Sequence, residues 1–335
     1  MEKSLFGKYD DKEVYLYTLK NDVATLKIMT KGATVVSFKT FGTEIIGGFD
    51  SFDGYFADTS NQGAVIGRVA NRIEDATFTM DGAIYMLPAN NNGNCLHGGR
   101  GFNERMWEVL SASDNEITLS YFSPDGEEGF PAGLSVEVTY TLIDATLVIN
   151  YKATPDGKTP IALTNHSYFN LDGFGDTVLN HTAVIYADRY TDVDERLIPN
   201  GKRPEVAGTA FDFRTPRKIG ERFSDGLDGY DHNYILSPTL FKTFLGKEVG
   251  LGAVVEGERL KMSVYTDQPG VQFYTANFLK KRAPEHIFHG GINPIKHGGF
   301  CLEAGTEPNC INHGIGFYDA GEVYTQTTVY QVEEK

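Results

Sequence analysis

Apolar and polar positions alternate along much of the chain. Val136, Val138, Tyr140 and Leu142 alternate with Ser135, Glu137, Thr139 and Thr141. After Asp144-Ala145 the alternation resumes at Leu147, Ile149 and Tyr151. A period of two predicts a hairpin with one buried face. Ile117, Leu119 and Tyr121 follow a turn at Asp114-Asn115 in the same way. Asp81-Gly82, between Phe78 and Ile84, is a two-residue hairpin signal. The stretch from Glu322 to Val332 is rich in Val, Tyr and Thr, which favour strands.

No long amphipathic helix emerges, and residues 216–228 are expected to hold one or two helical turns at most. Gly and Pro are scattered and mark no linker. The pattern predicts an all-β chain: one antiparallel domain over residues 1–335, with two or more stacked sheets and long loops.

Composition narrows the function. Hydrophobic residues make up 41% of the 335, enough for a large folded core. The net charge of −15 repels phosphate backbones, so nucleic acid is not an expected partner. No run approaches the roughly 20 apolar residues of a membrane helix, and the N-terminal segment lacks a signal-like apolar stretch. Cys95, Cys301 and Cys310 are odd in number and show no C-x-x-C spacing. A reducing, cytoplasmic setting is the expectation. Nothing in the pattern separates a monomer from a homodimer.

Six short segments place polar side chains among Gly, Asn and aromatic residues. They are Gly67–Arg72, Leu96–Gly99, Thr164–Asn170, Tyr230–Asn233, Pro269–Tyr274 and Cys301–Asn309. Asn, Gln, Arg, His and Asp supply the donors and acceptors that match sugar hydroxyls. Aromatic rings nearby can cover the C–H face of a sugar. Taken singly, each segment is turn chemistry. His286 and His289 have a His-x-x-His spacing, but no Cys or carboxylate lies at ligand spacing, so zinc is not expected there. Gly98-Gly99-Arg100-Gly101 lacks the Lys-Ser/Thr of a P-loop and is read as a tight turn.

In combination and in order, the segments resemble the aldose 1-epimerase (galactose mutarotase) family from about residue 5 to 331. The matching strings are Gly67–Ile73, Leu96–Gly99, Asp125–Pro131 and the most distinctive, Asn165–Gly173 (NHSYFNLDG). Asp231-His232-Asn233, Gln272 and Cys301-Leu302-Glu303 complete the set. The resemblance implies a large antiparallel β-sandwich of the galactose mutarotase-like supersandwich type. It implies His166 and Glu303 as the catalytic pair, and Asn71, Arg72, His97, Asp231 and Gln272 as sugar-binding residues. It implies a free monosaccharide as substrate and no cofactor or metal. One departure stands out: Ala304-Gly305 follow Glu303 where the family usually carries Thr-Gln.

Anomer exchange opens a hemiacetal ring. The C1 hydroxyl must lose a proton and the ring oxygen must gain one, so a base and an acid on opposite sides make the step concerted. An ionised Glu303 suits the base and a protonated His166 suits the acid. Carboxylates at Asp231 or Glu303 would hold the imidazole in its charged form and raise its pKa. Three other readings compete. A sugar-binding module without turnover leaves both groups idle. A hexose-phosphate 1-epimerase needs cations beyond Arg72, and a glycosidase built on Asp231 and Glu303 gives His166 no role.

Overall fold

The hairpin between Val136 and Tyr151 forms as the alternation requires. Strands Leu134–Ile143 and Thr146–Pro155 pair antiparallel, with Leu142 opposite Leu147 across Asp144-Ala145. Its inward residues, Val136, Val138, Tyr140, Leu147, Ile149 and Tyr151, are buried in the main core. The Asp81-Gly82 turn also forms, with both residues at positive φ (52° and 82°). That is the twist a two-residue hairpin turn needs, and glycine supplies it without strain.

The computed structural model describes residues 1–225 and 227–335. Three sheets organise them. A ten-stranded antiparallel sheet contains both strands of that hairpin and the C-terminal strand Tyr324–Glu334. A five-stranded sheet is built from the first strands of the chain, Glu2–Tyr9 to Thr43–Glu44. A four-stranded sheet joins Ala187–Tyr190, Asp231–Leu236, Gly270–Tyr274 and Cys301–Gly305. One apolar core connects the three: Leu26 and Phe38 from the five-stranded sheet, Val138 and Tyr330 from the large one, Phe273 and Leu302 from the small one. This is the layered β-sandwich the pattern predicts.

Helix is scarce. The α-helix Phe52–Ala57 is six residues long, and the remaining helical pieces are 3₁₀ turns. The helical turn expected within 216–228 appears as the 3₁₀ segment Ile219–Asp225; residue 226 lies outside the described residues. No helix among the described residues is long and apolar enough to cross a membrane.

Period-two geometry makes the small sheet two-faced. Registers place Asp231 opposite Tyr274 and Tyr274 opposite Cys301; the next row is Asn233, Gln272 and Glu303. These rows project from one face. The alternate residues Tyr234, Val271, Phe273 and Leu302 face the core. The polar face of a rigid sheet is therefore the floor on which a site is assembled.

Candidate active site

Glu303 lies mid-strand on that floor, 6% exposed, held in register by Gln272. The Ala304-Gly305 departure leaves the strand regular through Gly305, which pairs with Gly270. A Cβ at Gly305 would meet only the Leu163 carbonyl, at 3.6 Å, so packing does not require glycine there.

His166 follows the short strand Thr164–Asn165, which pairs with Val65–Ile66. Its backbone is fixed on both sides: His166 N–H donates to the Ala64 carbonyl (2.9 Å), and Gly63 N–H donates to the His166 carbonyl (2.9 Å). Asn165 braces the turn, donating to the Gly63 carbonyl (2.8 Å) and accepting from Ser167 N–H (3.1 Å). The imidazole stacks on Tyr168 at 5.1 Å and meets the His97 ring edge-on at 5.2 Å. Its Nε2 stands 3.9 Å from Glu303 Oε1. That exceeds a hydrogen bond, so each group can turn to a ligand atom between or beside them.

Asn71 and His97 come together because the strand pair Arg72–Ile73 and Cys95–Leu96 ends beside them. Both adopt positive φ (61° and 56°), a region Asn and His tolerate better than most residues. The turn beyond His97 is tight as expected: Gly98 has φ +74°, and a Cβ there would lie 2.6 Å from the Gly67 carbonyl oxygen. Asn71 N–H donates to His97 Nδ1 (3.1 Å), leaving His97 Nε2 as the protonated nitrogen of the neutral ring. Arg72 donates from Nε to Asn91 (3.2 Å) and faces Asp231 at 3.8 Å. Gln272 donates to the other Asp231 oxygen (2.7 Å).

Six of the seven expected residues, Asn71, Arg72, His97, His166, Asp231 and Glu303, line one cavity of about 250 Å³. Gln272 does not. It borders a smaller recess of about 20 Å³ shared with Asn71 and Glu303, and reaches the main cavity through Asp231. Its Oε1 is buried without a hydrogen-bond partner. Such an acceptor is costly to leave unmet, so it marks where a ligand donor would be welcome.

The electrostatics depart from expectation. Burial holds the His166 imidazole down to about 4, overcoming the raising influence of Asp231 and Asp58. Burial, with help from Asp231, pushes the Glu303 carboxyl well above the usual carboxylate range, against the opposing pull of Arg72. The expected upward shift of His166 is therefore wrong. Desolvation in the closed pocket outweighs attraction to neighbouring carboxylates. His97 is likewise held well below its ordinary value by burial, His166 and Arg72.

Sequence reasoning missed several cavity residues. Tyr168 and Tyr274 sit inside the quoted strings, and Tyr274 falls on the polar face by alternation from Gln272. Asn61, Asn91, Phe278 and Arg282 carry no local signal and enter only through tertiary folding. Arg282 brings a second cation to the cavity wall. His286 and His289 do not converge on one centre: His286 faces Asp58 at 3.4 Å, while His289 binds Asp50 and the Val36 carbonyl.

The chain is similar to known proteins in sequence and in fold. Residues 15–331 match the family described as Aldose 1-epimerase. The galactose mutarotase of Homo sapiens is 42% identical, over 94% of this chain and 93% of its own length. The aldose 1-epimerase of Escherichia coli (strain K12) is 36% identical, over 96% of each. Among solved structures, galactose 1-epimerase from Lactobacillus acidophilus NCFM superposes with a TM-score of 0.86 at 26% identity, covering 99% of this chain and 98% of that one.

Proposed function

The chain belongs to the aldose 1-epimerase family, and from that premise we propose that His166 and Glu303 carry the two proton transfers of anomer exchange. The activity is that of an isomerase acting on a monosaccharide. We take galactose, in keeping with the names of its relatives, and glucose, which differs from it by the orientation of one hydroxyl, as its sugars. Asn71, Arg72, His97 and Asp231 grip hydroxyls in the cavity. Gln272 orients Asp231 and offers its free Oε1.

The observation that carries this reading is the buried acid–base pair, 3.9 Å apart with no hydrogen bond between its members, opening on a polar cavity. Burial favours the pair with its proton on Glu303 and a neutral His166. The working form carries the same single proton, moved to His166. A bound sugar favours that move: its C1 hydroxyl donates to the Glu303 carboxylate, and its ring oxygen accepts from the imidazolium. Hydrogen bonds to the charged forms offset their lost hydration. Glu303 then takes the C1 hydroxyl proton while His166 protonates the ring oxygen. The C1–O5 bond breaks and a free aldehyde results. Rotation about C1–C2 presents the other carbonyl face. Closure returns the proton from Glu303 to the C1 oxygen and the ring-oxygen proton to His166. Atoms and charges balance without outside reagents. Each group is worth roughly 10²–10⁴ in rate.

We further propose that residues 1–335 act as one catalytic domain, since its site draws on segments from Asn71 to Glu303 over a shared core. A cytoplasmic monomer or homodimer fits three buried free thiols. Polarimetry with freshly dissolved α-galactose, α-glucose and a hexose phosphate tests the reading. Faster decay with free hexoses than with the phosphate supports it. Binding without accelerated decay would make the chain a sugar-binding module.

A further inference from the structure

The strand Cys301–Gly305 carries a thiol on the same face as Glu303. The two residues are two apart in an extended strand, so both side chains project from the same face of the sheet, Glu303 onto the cavity and Cys301 into the apolar cluster of Tyr168 and Tyr274 behind it. His166 stands against both: its Nδ1 lies 3.6 Å from Cys301 Sγ, and its Nε2 lies 3.9 Å from Glu303 Oε1. One ligating atom of each residue falls within 4.8 Å of the other two, and all three residues are buried. No other such group of His, Cys and carboxylate atoms occurs among the described residues. Proton transfer to a sugar makes no use of the thiol.

We propose that His166, Cys301 and Glu303 form a site for a thiophilic divalent cation of the Zn²⁺/Cd²⁺ class, and that the enzyme with this site filled is silent. Tetrahedral zinc takes sulfur at about 2.3 Å and nitrogen at about 2.0–2.1 Å, which at a tetrahedral angle sets the two ligands about 3.6 Å apart. Cys301 Sγ and His166 Nδ1 already have that separation, 3.6 Å. The Glu303 ligand oxygen lies within 4.8 Å of the other two ligand atoms and closes on the ion by side-chain rotation. Three protein ligands leave a fourth position for water. Thiolate and imidazole select zinc-like ions over Mg²⁺ or Ca²⁺. The net charge of −15 favours cation approach.

The proton balance is simple. The ion exchanges bound water for three protein ligands. The Cys301 thiol proton, and any proton on Glu303, pass to solvent, and the imidazole binds through a nitrogen lone pair. No electrons are transferred. Binding therefore tightens as pH rises. A coordinated imidazole and carboxylate can no longer exchange protons with a sugar. Binding stands on the ligand geometry alone; the silence rests on the catalytic reading of the pair.

The test is a CdCl₂ titration of the full chain in buffer free of thiols, phosphate and chelators. The ultraviolet cadmium–thiolate charge-transfer band is followed alongside the polarimetric rate. The expected result is a saturable band, a parallel loss of turnover, and recovery with EDTA. Cys301→Ser should weaken Cd²⁺ binding at least as much as the roughly 10–100-fold loss typical of an outer-shell change. Cys310→Ser serves as the control and should keep the band. Saturating aldose should compete with Cd²⁺ in the wild type, which settles the question even if Cys301→Ser does not fold. A missing band, a band unchanged in Cys301→Ser, or a band indifferent to aldose would overturn the site. A Cys301-dependent band with undiminished turnover would leave the site standing, refute its silencing effect, and count against His166 and Glu303 as the catalytic pair.

Discussion

His166 Nε2 and Glu303 Oε1 face each other at 3.9 Å in a pocket where burial disfavours charge on both. The ring is held by Tyr168 on one face and by the edge of His97. The backbone of Glu303 is held by the strand register. With no hydrogen bond joining the two groups, each can turn to substrate.

The first prediction concerns the resting proton. With His166 held down to about 4, its imidazole should be neutral at pH 6 in the sugar-free enzyme. Histidine NMR resolves this directly: the His166 ring resonances should titrate near pH 4. An imidazolium at pH 6 would contradict the burial argument.

Stability should reflect the same pair. The folded-state pKa of Glu303 is raised, so its favourable contribution is fully present below the unfolded value and is lost as pH rises toward the folded value. His166 is depressed, so its contribution is present above its unfolded value and lost as pH falls toward about 4. Glu303→Gln removes the first penalty. It should be more stable than wild type at pH 8, by roughly 1–3 kcal/mol, the scale of an unmet buried polar group. Near pH 4 the difference should shrink. Urea midpoints at the two pH values measure it, and a destabilised variant at pH 8 would count against a strained carboxylate.

Gln272 and His166 should separate kinetically. Gln272 supports Asp231 at 2.7 Å and lies behind the main cavity. Gln272→Ala is expected to raise KM by the worth of one or two neutral hydrogen bonds, roughly 1–3 kcal/mol. Arg72→Ala should cost more, because a charge-assisted contact is lost. His166→Ala should collapse kcat while sugar binding, measured by calorimetry, persists. Identical patterns for Gln272→Ala and His166→Ala would refute this division.

Asn165 is a structural brace. Its side chain ties the Gly63 carbonyl to the Ser167 N–H just beside His166. Asn165→Ala strands the buried Ser167 amide and should destabilise the fold by about 1–3 kcal/mol. Chemical denaturation checks this; an unchanged midpoint would mean that the loop is held elsewhere.

The hairpins were legible because their information is local. Alternation at 134–155 and Asp81-Gly82 specify pairing and turn within a few residues. The joining of Ala187–Tyr190 with Asp231–Leu236 was not legible, since it depends on distant chain segments. Six cavity residues were found through their strings, yet Gln272 was placed too far forward because depth behind Asp231 has no sequence signature. The His166 shift was misjudged for the same reason. Neighbouring charges can be read from a motif, whereas loss of water depends on the finished pocket.

The most direct test is the polarimetric mutarotation rate of Glu303→Gln, with circular dichroism confirming its fold. Glutamine keeps the shape of the side chain but cannot accept the C1 hydroxyl proton. The account predicts a fall in kcat of at least ~10². A rate within about threefold of wild type, far short of the worth of a catalytic base, would show that Glu303 is not the base.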